Sequence, residues 1–200
     1  MKTVYLILIL FYNISFSQLL PGGNRERYEE NSSSTSSNNS AYINLNLNFL
    51  QINDYFGVEG ALGFGNILKN NLILGGGINS VLFDSFKIQN EGSEFIRYTN
   101  GYFKFGYLID MKYVYPSFNL NLGAGRMNSS TLAIGVNADP NGDWYIYLEP
   151  NLNFDVKLYK KNYLNFCFNY RFYNGIENYN LKNSDFNGFV FNFGYTLILK

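Results

Sequence analysis

Ile43-Asn44-Leu45-Asn46-Leu47-Asn48-Phe49 places an apolar residue at every odd position and an asparagine at every even one. A period of two puts alternate side chains on opposite faces of an extended chain, so the stretch predicts a β-strand with one apolar and one polar face. The pattern recurs downstream. Phe56, Val58, Leu62 and Phe64 oppose Gly57, Glu59, Ala61, Gly63 and Gly65, and Phe103, Phe105, Tyr107, Ile109 and Met111 oppose Lys104, Gly106, Leu108 and Asp110. Phe118, Leu120, Leu122 and Ala124 oppose Ser117, Asn119, Asn121, Gly123 and Gly125. The longest run sets Ile146, Leu148, Pro150, Leu152, Phe154, Val156 and Leu158 against Tyr145, Tyr147, Glu149, Asn151, Asn153, Asp155 and Lys157. Two more follow, with Leu164 to Phe172 against Asn165, Cys167, Asn169 and Arg171, and Phe189 to Leu199 against Val190, Asn192, Gly194, Thr196 and Ile198. The run from about Asn71 to Phe83 is apolar or Gly on both faces and is the weakest. After Ala41 no segment carries helical periodicity.

These runs make about eight strands, each long enough for a tilted membrane crossing, which needs about 9–11 residues. The connections at 66–70, 112–115 and 159–162 are tight, whereas 84–98, 126–143 and 174–185 are long and polar. The short link at 51–54 falls by parity at the long-loop end. Short turns at one end and long loops at the other are the pattern of transmembrane barrels, and an even strand count returns both chain ends to the short-turn side. Joining the first strand to the last removes the unpaired edges that hydrocarbon cannot tolerate. Pro150 has no N–H for a ladder bond, which predicts a local bulge or a position near the membrane boundary.

The 200-residue chain has zero formal net charge, only 15% charged residues against the roughly 25% of soluble domains, 19% aromatics and a mean hydropathy of -0.14. Zero net charge gives no electrostatic case for nucleic acid. The absence of histidine excludes Ser-His-Asp and Cys-His catalysis and His-ligated zinc. Cys167 is the single cysteine and forms no internal disulfide.

At the N-terminus Lys2 precedes the apolar run Val4 to Tyr12, too short for a membrane helix. Small residues Ser15 and Ser17 then predict signal-peptide cleavage between Ser17 and Gln18. Residues 18–40 contain Pro21-Gly22-Gly23 and the Ser/Thr/Asn tract Asn31 to Ser40, which cannot bury enough apolar surface to offset ordering entropy. The expected organisation is a signal peptide at 1–17, a disordered tether at 18–40 and a barrel at 41–200.

Alternation alone also fits a soluble lipocalin-like barrel with its apolar face inward. Three features favour the apolar face outward. A water-facing surface would carry many Lys and Glu, whereas the polar face here is mostly Asn, Gly and Ser. That face is also small, with Gly57, Ala61, Gly63, Gly106, Gly123, Gly125 and Gly194 suited to a narrow interior. Finally, tyrosines gather near run ends (Tyr98, Tyr102, Tyr113, Tyr115, Tyr145, Tyr159, Tyr163, Tyr173), as interfacial girdles would.

In these features Ala41 to Lys200 resembles the small outer-membrane β-barrel proteins of Gram-negative bacteria, of the OmpA/OmpX-like or porin-like barrel-domain kind. The resemblance implies an all-β, eight-stranded antiparallel up-and-down transmembrane barrel in the outer membrane, in contact with its lipid. Phe189, Phe191, Phe193 and Tyr195 in the last run are similar to the family's signal for the barrel-assembly machinery, although the chain ends Leu197-Ile198-Leu199-Lys200 without a terminal aromatic. A monomer is expected, with no cofactor and no metal, and with loop ligands that the sequence does not name. Barrel enzymes of such membranes use a histidine as families, so catalysis is not expected here.

Glu59, Lys104, Asp110, Glu149, Asp155, Lys157 and Arg171 fall on the inward alternation. Buried charges must pair, which predicts a lumen network with Lys104 and Arg171 neutralising Glu59 and Glu149 towards the long-loop end, and Asp110, Asp155 and Lys157 nearer the short-turn end. Such a network can line a narrow path for ions or solutes, or plug an eight-stranded lumen that side chains can fill. Glu91/Glu94 and Asp139/Asp143 read as solvated loop charge without calcium-loop spacing. Gly75-Gly76-Gly77 lacks the Lys-Ser/Thr of a phosphate loop and reads as room for the lumen or a bend.

Overall fold

A computed structural model describes residues 39–52, 55–82, 95–111, 113–130, 142–177 and 182–199. The expected leader, its Ser17–Gln18 cleavage site, residues 18–38 of the tether, and Glu91, Glu94 and Asp139 lie outside the described residues.

Eight strands follow in chain order: β1 (Ser40–Ile52), β2 (Tyr55–Ile67), β3 (Leu72–Val81), β4 (Phe95–Leu108), β5 (Val114–Ser130), β6 (Asp143–Tyr159), β7 (Asn162–Asn174) and β8 (Gly188–Leu199). Each pairs antiparallel with its sequence neighbour, and β1 closes on β8 from Ala41↔Leu199 to Leu50↔Val190. A single helical turn, α1 (Asn183–Phe186), lies between β7 and β8. The tight β2–β3, β4–β5 and β6–β7 connections share one end with Ser40 and Leu199. Asn71 takes a left-handed φ of 64° in the first of them, a conformation asparagine tolerates better than most residues.

The polarity is the reverse of a soluble domain. Phe103 is 71% exposed and Phe118 59%, while Asn44, Asn48, Asn119, Asn151 and Asn169 are buried. Large contiguous apolar surface marks contact with something apolar. Along β5 the outward series from Val114 to Ala124 is apolar, and its ten steps rise about 25 Å at ~3.3 Å per residue and ~40° tilt, the height of a hydrocarbon belt.

Two expectations about strand extent are corrected. Residues 95–98 and 126–130, read as loop, belong to β4 and β5. The inward alternation continues there through Ile96, Tyr98 and Met127, all buried, so apolar packing carries the ladder beyond the membrane belt. Pro150 sits on the outward face in mid-β6, and no bulge forms at it. Its ladder to β7 leaves out Glu149 and Pro150 without changing register, and the register shift falls instead between Lys157 and Tyr159. Pairing resumes at Asn151↔Asn169 in the same register, so no extra residue is inserted and the inward alternation of the asparagines continues past the proline.

Glycines on the inward face receive the side chain paired across the ladder. A Cβ on Gly63 would meet Asn44, one on Gly106 would meet Asn119, and one on Gly194 would meet Asn46. Gly75 and Gly77 of the triple glycine make room for the Tyr42 and Tyr102 rings. Gly123 lies beneath the Tyr147 ring, its ladder partner. A rigid ring cannot yield as an amide can, so Gly123→Ala is expected to destabilise the barrel by about 1–3 kcal/mol. Urea unfolding of the barrel refolded in detergent checks this, and an unchanged midpoint would contradict the packing described.

Candidate functional site in the barrel lumen

The alternation of β2, β6 and β7 points Glu59, Glu149 and Arg171 inward towards one another, at the long-loop half of the barrel. All three are at least 98% buried. Arg171 binds Glu59 through two nitrogens, Nη1 to Oε1 at 2.8 Å and Nη2 to Oε2 at 3.2 Å, and its Nε donates to Glu149 Oε2. The guanidinium therefore spends its planar fork on one carboxylate and its remaining edge on the other. It also lies over the Tyr147 ring, 5.0 Å from the centroid, and donates to Tyr173 Oη at 2.9 Å.

The carboxylates are satisfied from further strands. Tyr98 Oη donates to Glu59 Oε1 at 2.5 Å and Asn48 Nδ2 to Glu59 Oε2 at 2.9 Å. Asn121 and Asn169 donate to Glu149 Oε1 at 2.8 and 3.0 Å. The cluster thus ties β1, β2, β4, β5, β6 and β7 together across the lumen.

Below it, towards the short turns, Asp155 accepts from Asn153 Nδ2 at 2.7 Å, Asn165 Nδ2 at 2.9 Å and Thr196 Oγ1 at 3.3 Å. Between the two lies a cavity lined by asparagines with Tyr102, Lys104, Glu149 and Cys167. It has about 20 Å³ of room, enough for about one water and too little for a hydrated ion.

Above the ion cluster the interior turns apolar. Leu50, Ile52, Ile96, Tyr98, Met127, Tyr145, Tyr147, Tyr173 and Val190 pack together, and Ile176 and Phe186 close over them from the β7–β8 connection. Phe186 stacks edge-on at 5.7 Å from the Tyr173 ring. Gly175, at φ 105°, turns the chain after β7 where a Cβ would be strained. Asn187 Oδ1 then accepts the Tyr173 N–H at 2.7 Å and Asn183 Oδ1 the Ile176 N–H at 2.8 Å, which pins the connection down.

The structure brings Glu59, Glu149 and Arg171 together, with Asp155 and Lys104 deeper in the same lumen. Among the described residues Arg171 alone bridges the two glutamates; Lys104 lines the cavity instead. Asp110 and Lys157 are not part of this interior. Asp110 follows the end of β4 and is exposed, and Lys157 is exposed where the β6–β7 register shifts and alternation lapses. The tyrosine girdle is corrected in part. Tyr98, Tyr102, Tyr145 and Tyr173 are buried inside the barrel, while Tyr113 and Tyr159 are exposed near the short turns. The apolar plug went unread in the sequence, although its signal was present: the even face of β1 changes from Asn44, Asn46 and Asn48 to Leu50 and Ile52. Ile176 and Phe186 carry no periodic signal. Among the described residues no group of His, Cys, Asp and Glu is arranged to hold a metal ion.

No family model matches the chain, and no curated protein matches it. Solved structures do. Neisserial surface protein A matches with a TM-score of 0.56 and 12% identity, over 81% of this chain and 95% of that one. Ail, the attachment invasion locus protein of Yersinia pestis, in a complex with the heparin analogue sucrose octasulfate, matches with a TM-score of 0.51 and 11% identity, over 80% of this chain and 97% of that one. At such identities the likeness is one of fold: this chain has the eight-stranded, antiparallel up-and-down barrel of the small Gram-negative outer-membrane proteins.

Proposed function

We propose that the chain is a non-enzymatic, monomeric outer-membrane barrel with a filled lumen, inserted by the barrel-assembly machinery, that presents its long connections outside the cell in a structural, adhesive or other surface-contact role. The observation that carries this reading is the lumen. A bidentate ion-pair cluster and an apolar plug stand one above the other, and the described cavity holds about one water. The two similar proteins are a surface protein and an attachment protein, which supports a surface role. An apolar exterior over an asparagine interior argues against a secreted carrier of apolar ligands, which needs the opposite polarity.

Planar-bilayer recording tests the reading against a narrow channel. The refolded protein is expected to give no large, stable conductance, and steady single-channel openings would overturn the filled lumen. Cys167 offers an independent check, because it lies 7% exposed below the ion cluster. A membrane-impermeant maleimide is expected to label it at least 100-fold more slowly in the folded barrel than in urea. Fractionation with the membrane and a heat-dependent gel shift are expected of the barrel itself; free solubility without detergent would remove the membrane assignment.

A further inference from the structure

One charge inside the barrel takes no part in the ion cluster. Lys104 stands on the inward face of β4, part-buried, in the wall of the asparagine cavity. It forms no hydrogen bond and no ion pair with any described residue, and its charge acts on Tyr42, Tyr102, Cys167 and Asp155 at a distance. The same wall holds the opposite shortage. Asn46, Asn48 and Asn121 carry buried side-chain oxygens that meet no donor among the described residues. Asn121 is the ladder partner of Lys104 on β5, so the two side chains are cross-strand neighbours. Its Nδ2 donates to Glu149 at 2.8 Å, which leaves its oxygen as the group still to be satisfied.

A lumen ammonium without acceptors is costly, and so are buried amide oxygens without donors. Each supplies what the other lacks, because an ammonium brings three N–H donors and an amide oxygen accepts. Charge selects the same sign of ligand. Below the apolar plug the described carboxylates inside the barrel, Glu59, Glu149 and Asp155, outnumber the cations Arg171 and Lys104 by one, and without the lysine by two. That balance disfavours an anion. Size and ligand type disfavour a divalent ion: about 20 Å³ leaves no room for the waters that magnesium keeps, and among the described residues no carboxylate cluster is arranged to hold a metal. Neutral carbonyl oxygens around a space for one water suit a dehydrated monovalent cation.

We propose that the asparagine cavity is a binding site for a small monovalent cation of ammonium size, and that the Lys104 ammonium occupies it as a tethered ligand. The assignment deepens the filled-lumen reading above and rests on it. The lysine bars free cations from the polar middle of the barrel, where the asparagine oxygens would otherwise replace their hydration shell. Truncating it uncovers the site.

Urea unfolding of the detergent-refolded Lys104→Ala variant tests the proposal, in ammonium chloride and in tetramethylammonium chloride at equal ionic strength. Removal of the stem leaves the oxygens and room for a free ammonium ion, whereas tetramethylammonium is too bulky to enter. The variant is expected to unfold at lower urea than the unaltered protein in tetramethylammonium, and to recover at least half of that loss in ammonium. The unaltered protein and Lys161→Ala, exposed at the short-turn end, are expected to unfold alike in both salts. Adding Asn121→Leu to Lys104→Ala is expected to abolish the recovery. Equal midpoints for Lys104→Ala in the two salts would overturn the site, as would the same recovery in Lys161→Ala. If Lys104→Ala refolds in neither salt, NMR of the unaltered protein with isotopically labelled lysine nitrogen decides. A caged ammonium is expected to give a slowly exchanging signal at neutral pH, where exposed lysines exchange too fast to be seen, and the absence of any such signal overturns the site. Steady single-channel openings in the unaltered protein, with the ammonium recovery of Lys104→Ala intact, would sink the filled lumen and leave the cation site standing. A non-conducting protein whose Lys104→Ala variant ignores ammonium would do the reverse.

Discussion

Arg171→Met is expected to lower the unfolding free energy by about 3–5 kcal/mol, the cost of removing one partner from a buried ion pair. The size follows from what remains. Glu59 and Glu149 are 0% and 2% exposed, and the single guanidinium between them makes the described ion pairs of both. Without it, two buried carboxylates are left with neutral donors only: Tyr98 and Asn48 on one, Asn121 and Asn169 on the other. Methionine keeps much of the volume, so the loss reports charge rather than a cavity. Urea titration of the barrel in detergent measures it, with Trp144, the single tryptophan, as the fluorescent probe. The triple variant Arg171→Met/Glu59→Gln/Glu149→Gln is expected to regain most of the loss, because it removes the stranded charges with the cation. If Arg171→Met unfolds at the same urea concentration as the unaltered protein, the cluster does not hold the lumen together.

The second large effect is on the other face. Leu120→Arg, in the middle of the outward series of β5, is expected to cost about 2–4 kcal/mol in a lipid bilayer, as cations do at mid-membrane on barrel exteriors. Leu120 is 37% exposed to the surroundings of the barrel, so the new side chain meets no steric barrier, only the medium. In water the same change would be nearly neutral, as surface substitutions usually are. Reversible unfolding from phospholipid vesicles, with Arg placed at Leu120 and then at Ala124 near the belt edge, separates the cases. The penalty should shrink towards Ala124. A flat profile near zero would show that this surface faces water and would remove the membrane assignment.

Alternation was the most legible feature. One residue's shift of register would turn every lumen asparagine to lipid, so polarity and register specify each other. Hence the strand count, the closure, the asparagine interior and the inward placement of Glu59, Glu149 and Arg171 could all be read from spacing. The failures lie where spacing stops being informative. Nearness to run ends misplaces Tyr98, Tyr102 and Tyr173, which obey the same parity as the asparagines and point inward, as does Tyr145, whose place in the alternation of the longest run already says so. Asp110 and Lys157 lie where the ladder ends or shifts, and there alternation no longer predicts which way a side chain faces.

By itself, then, the sequence determined the architecture, because a strict two-residue period in hydrocarbon admits only a closed sheet with its apolar face outward. Tertiary structure decided how the interior is filled. Which cation meets which carboxylate depends on distances across the lumen between residues as far apart in sequence as Glu59 and Arg171, and no local pattern encodes them. The seal over the top was settled in the same way. Ile176 and Phe186 come from an aperiodic connection, and only the turn at Gly175 and the side chains of Asn183 and Asn187 bring them onto the tyrosines.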